Sequence, residues 1–272
     1  MNERNGWTLL ELLVVIAIVA LLVSISLPAL HLARRQARTV ICLSRLRQSG
    51  SAAVVWADEN GGCTPPSSRR WQVDLRLHSP DKANEILFCP MATRFASEGA
   101  RQPFAAYNAF SFGDSFSAAF GDGGGDLFLA PDTYCGYGSY GINGWVSNPP
   151  SQVKINARGG PVADHWRRMA VSRGDAVPLF LDARWVDGFP HHDDPPPGCV
   201  DADGPMAGPG ARGQMSVFCL DRHDGSVNGV FLDLAARKIG LKELWKLKWH
   251  RTYDTDAPVP EWPGWMKALR EY

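Results

Sequence analysis

What the chain lacks narrows its function first. It has no surplus of charge of either sign, because 28 Lys and Arg stand against 28 Asp and Glu in 272 residues. No bulk field marks it for a polyanion, so no nucleic-acid partner is expected. It has no phosphate loop, no His-Glu-x-x-His zinc helix and no Cys-x-x-Cys pair, which removes the commonest local signatures of nucleotide, metalloprotease and thioredoxin-like chemistry. Tyr137-Gly138-Ser139-Tyr140-Gly141 misses the nucleophile elbow, since Tyr137 stands where that strained turn needs glycine. Internal repeats of useful length are missing too, and Gly and Pro are spread through the middle of the chain. No catalytic residue, cofactor or metal is expected.

The sharpest lack is local. From Leu12 to Leu30 there are 19 residues without a charge, and only Ser24, Ser26 and Pro28 interrupt a run of Leu, Val, Ile and Ala. As a helix rising 1.5 Å per residue this run is about 28 Å long, matching the ~30 Å hydrocarbon core of a bilayer. A carboxylate, Glu11, stands directly before it. Beside such a helix it costs several kcal/mol unless it is neutralised, held at headgroup level or given a cationic partner.

A secretory signal would have a positive leader, an apolar run of about 7 to 15 residues and a small-x-small cleavage site. Here the leader MNERNG sets Arg4 against Glu3, the run is longer, and no Ala-x-Ala precedes Ala33. An unspecialised anchor with Glu11 in the interface is the other simple reading.

Gly6-Trp7-Thr8-Leu9-Leu10-Glu11, followed by LLVVIAIVALLVSISLPAL, resembles the class III signal of type IV prepilins and type II secretion pseudopilins. The resemblance implies cleavage after Gly6 and N-methylation of Trp7 by a prepilin peptidase/methyltransferase. Glu11 then falls at the fifth mature position, and Pro28 where the family often kinks its helix. Trp7 in place of the usual Phe, and the acidic Glu3, are departures. The family pattern implies a leader over 1–6, an N-terminal helix over 7–60 with its transmembrane part at about 12–30, and an extracytoplasmic globular domain over 61–272. It further implies a single-pass inner-membrane protein that contacts lipid before assembly and other pilin or pseudopilin subunits afterwards, in a type IV pilus or type II secretion filament.

In that setting Glu11 of one subunit pairs with the methylated ammonium of Trp7 on a neighbour. Losing one partner of a buried pair costs far more than the pair contributes, so the contact selects axial register. Topology holds a conflict: Arg34, Arg35 and Arg38 follow the span while the leader offers Arg4, and the positive-inside rule would put the C-terminal part in the cytoplasm. The family places it outside, and long C-terminal domains translocate largely regardless of charge.

Past the membrane the helix is expected to continue to Glu59 and stop at Asn60-Gly61-Gly62. Leu43, Leu46, Gly50, Ala53 and Ala57 share one helix face, which should pack on a sheet. Arg34, Arg38 and Arg45 lie on another, expected to be solvated. Residues 61–176 are loop-rich, and three short apolar runs follow at 177–185, 214–220 and 227–235, each read as a strand. Asp224-Gly225 between the last two suggests a hairpin. HHDDPPPGCVDADGPMAGPG reads as a surface loop. The fold class is α+β, a long helix on an antiparallel sheet with large loop insertions.

Phe88-Cys89-Pro90, residues 139–145 and residues 221–251 resemble the large pilin-like families of planctomycete-type bacteria. Many of these carry a His, nine intervening residues and then Asp-Gly; His223 and Asp233 keep that spacing, with Leu234 in place of the Gly. A polar contact between His223 and Asp233 that fixes a turn, with Asp182 able to join, is preferred over a metal or catalytic pair. His191, His192, Asp193 and Asp194, and the loop with Asp122 and Asp126, lack a full ligand set. Cys42, Cys63, Cys89, Cys135, Cys199 and Cys219 permit up to three disulfides in an exported domain. A staple from Cys42 to Cys63 or Cys89 is one reading, and buried free thiols the other. The 10 tryptophans leave an anchored adhesin or carbohydrate-binding module as the alternative function, since Trp serves both sugar contacts and cores.

Overall fold

The structure, a computed structural model, describes residues 9–66, 86–92, 110–112, 136–156, 160–198, 213–259 and 261–271. Helix α1 runs over Leu9–Glu59 as 51 residues, about 76 Å at 1.5 Å per residue. It passes through Pro28 without a break. The two hydroxyls of its apolar half turn inward on the helix: Ser24 Oγ donates to the Leu21 carbonyl at 2.7 Å and Ser26 Oγ to the Leu22 carbonyl at 2.8 Å. The span therefore presents no unsatisfied hydroxyl to lipid. Its end follows the sequence signal: Gly61 and Gly62 take φ of +67° and +75°, and Gly62 N–H closes on the Ala57 carbonyl at 2.7 Å. Only glycine takes successive left-handed residues without a Cβ penalty.

The strands are β1 (Phe110–Phe112), β2 (Gly136–Gly138), β3 (Tyr140–Asn143), β4 (Pro178–Asp182), β5 (Asp187–Gly188), β6 (Ser226–Phe231) and β7 (Ala236–Gly240). Among the described residues β1 and β2 form an antiparallel pair, and the other strands form a five-stranded sheet in the order β5-β3-β4-β6-β7. Every pairing in that sheet is antiparallel except the short parallel one between β3 and β5. A short helix α2, Gly264–Lys267, lies near the C-terminus.

Both faces of the sheet are covered, which is why central β4 reads PLFLD as a nearly unbroken apolar run with every residue buried. On one face, Cys42, Leu46, Ala53 and Ala57 of α1 pack with Ile142, Leu179, Phe180 and Val230. On the other, Leu181, Phe231 and Ile239 pack beneath Trp245, Trp249, Tyr253 and Met266 of the C-terminal segment. At Gly50 the helix packs tightly on β6, since a Cβ there would lie 3.0 Å from Val230 Cγ2. The expected packing face is present with one change of register, since Cys42 is buried where Leu43 is half-buried.

Two expectations are corrected. Gln214–Leu220 is not a strand: Gln214–Val217 is a turn of 3-10 helix, entered through Gly213 at φ +99°. Accordingly it does not pair with the next strand, and β6 lies instead between β4 and β7. Asp224-Gly225 closes no hairpin between two strands; Asp221 accepts the Gly225 N–H at 2.7 Å and turns the chain into β6. The hairpin turn proper falls at 232–235, with Leu234 at φ +68°.

Tryptophan serves the core. Trp145 and Trp249 are 0 % exposed and Trp245 is 3 % exposed. Among the described residues no tryptophan is exposed.

Candidate functional site

Two features carry chemistry, and the first is the exposed half of α1. From Leu9 through Leu30 its apolar side chains have no protein cover; Leu9 is 82 % exposed and Ile25 68 %. A soluble fold would bury such a stretch. Glu11 lies in the first turns of this segment and Pro28 near its end. Gly6 and Trp7 lie outside the described residues.

The second is a buried polar knot where α1 crosses the sheet. It is built from four separate segments: Cys42 of α1, Cys89 in the 86–92 segment, Asp182 at the end of β4, and His223 in the turn before β6. All four are buried, and their donor atoms lie within 4.8 Å of one another. Cys42 Sγ is 3.8 and 3.7 Å from the two Asp182 oxygens. Cys89 Sγ is 3.4 Å from His223 Nε2, which is itself 3.1 Å from Asp182 Oδ2.

Arg222 closes the knot from the sheet side. Its Nη1 donates to Asp182 Oδ1 at 2.9 Å and to the Ser139 carbonyl at 2.7 Å, and Nη2 donates to the Ala183 carbonyl at 3.0 Å. The Asn228 N–H donates to Asp182 Oδ2 at 2.8 Å. Burial by itself would push the Asp182 carboxyl up, but the charges of His223 and Arg222 hold it well below the ordinary carboxylate range. Burial likewise disfavours a charged His223, yet Asp182 beside it raises the imidazole to about 9. Burial pushes the Cys42 thiol well up. For Cys89 burial acts the same way, but hydrogen bonds from Cys42 and His223 bring that thiol down to about 7.

The sequence-derived site residues divide cleanly. Asp182 and His223 come together, whereas Asp233 lies apart in the β6–β7 turn, exposed, with its Oδ1 accepting the Ala235 N–H. Cys42, Cys63, Cys89 and Cys219 are free thiols. Cys42 and Cys89 are neighbours, while Cys219 is buried in the opposite core, where desolvation pushes its thiol far up. Cys135, Cys199, Asp122 and Asp126 lie outside the described residues. Asp194 spends its carboxylate on the backbone N–H groups of Gly213, His191 and Met215. Arg45, expected in solvent, donates to the Phe88 carbonyl at 2.8 Å and so holds the segment that carries Cys89. Arg222, Thr39 and Tyr140 were invisible as site residues; only the folded chain brings them to the knot.

No curated protein and no solved structure matches the chain. A family model described as the prokaryotic N-terminal methylation motif matches residues 1–27. With the uncovered apolar half of α1, that match fits a single-pass inner-membrane anchor. The chain carries, at residues 1–27, the class III signal of type IV prepilin-like proteins, a match that supports a type IV pilin-like precursor.

Proposed function

We propose that the mature protein is a structural subunit of a type IV pilus or type II secretion filament, cut after Gly6 and methylated on Trp7 by a prepilin peptidase/methyltransferase. The observation that carries the reading is the register of Gly6, Glu11 and Pro28 on a helix whose apolar half is uncovered and whose other half is packed on a sheet. A helix so divided stays in the bilayer as a monomer and exchanges lipid for neighbouring helices on assembly. Glu11 neutralises the ammonium of a neighbour's Trp7 at the one depth where both are desolvated. Residues 1–6 are the leader, 7–60 the stem and 61–272 the extracytoplasmic head.

The role is structural rather than catalytic, supported by the enclosure of the Asp182 and His223 side chains, neither of which is exposed. The buried tryptophans lend no support to a sugar-stacking surface. Retention of Glu11 suits a subunit that adds beneath another, and a head of this size suits a minor component, since a bulky domain repeats poorly along a tight helical core. Replacing Glu11 by Leu tests the assembly role, because leucine spans at no cost. Cleavage at Gly6 and membrane insertion should persist while co-assembly with partner subunits is lost; wild-type incorporation of E11L overturns the pairing role.

A further inference from the structure

The geometry points to a tetrahedral Zn2+ site made by Cys42, Cys89, Asp182 and His223, a metal staple between stem helix and head. Around zinc with bonds of about 2.3 Å to sulfur and about 2.0 to 2.2 Å to nitrogen and oxygen, ligand atoms in a tetrahedron stand roughly 3.4 to 3.8 Å apart. The separations are 3.7 Å for Cys42 Sγ to Asp182, 3.4 Å for Cys89 Sγ to His223 Nε2 and 3.1 Å for His223 Nε2 to Asp182. All four donor atoms lie within 4.8 Å of one another, so a contraction of about 1 Å at the widest would bring them to tetrahedral spacing. Two thiolates select a borderline-soft ion over calcium or magnesium.

Each ligand has a separate partner that orients it, as metal ligands characteristically do. Thr39 Oγ1 donates to the Arg35 carbonyl at 3.1 Å, so toward His223 Nδ1, also at 3.1 Å, it must accept. That fixes the proton of a neutral imidazole on Nδ1 and leaves the Nε2 lone pair directed at the centre of the knot. Tyr140 donates its hydroxyl to Cys42 Sγ at 3.2 Å, and the Met91 N–H donates to Cys89 Sγ at 3.4 Å. Asp182 is held by Arg222 and the Asn228 N–H. Charge also balances: two thiolates and a carboxylate against Zn2+ and the Arg222 guanidinium sum to zero, which suits a site closed to solvent. Binding releases both thiol protons, and any proton on Nε2, to solvent.

Two other uses of these residues fit less well. A Cys-His-Asp nucleophile relay puts thiol and carboxylate on opposite ring nitrogens, whereas here Cys89 and Asp182 both face Nε2. The thiol is also sealed from any substrate, with Cys89 0 % exposed. A Cys42–Cys89 disulfide would use both sulfurs but leave the convergence of His223 and Asp182 on them without a purpose.

The site is independent of the filament reading, so either can fail alone. The test uses the full mature chain, purified in detergent under reducing conditions, stripped with a chelator and titrated with Co2+ and then Zn2+. The expected result is one equivalent bound, with the intense visible bands of tetrahedral cobalt and a thiolate-to-cobalt charge-transfer band, both erased by one equivalent of Zn2+. C42S and C89S should each weaken the charge-transfer band, and C219S should leave it unchanged. Octahedral, weakly coloured cobalt in the wild type, or a spectrum unaffected by C42S and C89S, overturns the site. So does mass analysis of the non-reduced chain showing Cys42 and Cys89 joined. The wild-type spectrum decides even where a variant fails to fold.

Discussion

Arg222 and Asp182 meet at 2.9 Å with neither side chain exposed to solvent. The guanidinium also binds the carbonyls of Ser139 and Ala183, so one side chain neutralises a buried carboxylate and satisfies backbone around the ends of β3 and β4. Removing it takes the guanidinium from Asp182, which keeps His223 and the Asn228 N–H, and from the Ala183 carbonyl, while the Ser139 carbonyl keeps the Ala183 N–H at 2.9 Å. Arg222→Met should destabilise the head by about 3 to 5 kcal/mol, the range for breaking one side of a buried pair. Denaturant melts followed by tryptophan fluorescence give the value, and a loss below about 1 kcal/mol would mean that the pair behaves as a surface contact.

The stem reaches the head through a residue with no side chain. At Gly50 a Cβ would already stand 3.0 Å from Val230 Cγ2 and 3.3 Å from Leu234 Cδ2. Gly50→Leu should therefore lift α1 from β6 and cost about 1 to 3 kcal/mol or more, despite leucine's better helix propensity. Gly264→Ala, where nothing lies within 4 Å of the new Cβ, is the matched neutral control in the same melts.

That contact also shows how far the fold could be read from sequence. Leu46, Gly50, Ala53 and Ala57 repeat at helical spacing, and their face packs on the sheet as the pattern implies. Asn60-Gly61-Gly62 ends the helix for the reason its composition suggests. The run QMSVFCL misled because a short apolar segment is compatible with strand or helix. The 3-10 turn it forms is entered through Gly213 in the left-handed region, with the Gly213 and Met215 N–H groups held by Asp194, nineteen and twenty-one positions away. The knot was less legible still, because Cys42, Cys89, Asp182 and His223 come from four segments and share no spacing. The Asp233 partnership suggested for His223 gave way to Asp182, which β4 places beside β6. Leu234 occupies a left-handed turn position that glycine would fill without strain.

Acid should loosen the head through two histidines kept neutral. His165 and His250 are 1 % and 4 % exposed, and burial lowers each to about 4. Arg167 opposes a charge on His165 and Asp164 favours one; His191, Lys248 and His192 oppose a charge on His250, with Asp164 again favourable. Both folded values lie below the unfolded value of about 6.5. Above that pH neither state is charged. Between about 6.5 and 4 the unfolded chain takes up protons that the folded chain refuses, so stability falls with pH by up to about 1.4 kcal/mol per unit per histidine. Melts at pH 7 and pH 5 should differ more in wild type than in His165→Gln or His250→Gln; an equal difference in all three assigns the acid sensitivity elsewhere.

The account depends most on where the mature chain begins. Intact-mass and N-terminal peptide measurement on the membrane fraction of cells that possess a prepilin peptidase tests it directly. The predicted result is a chain lacking residues 1–6 whose first residue is N-methylated Trp7. An intact Met1, or a cut near Ala33, contradicts the filament-subunit reading.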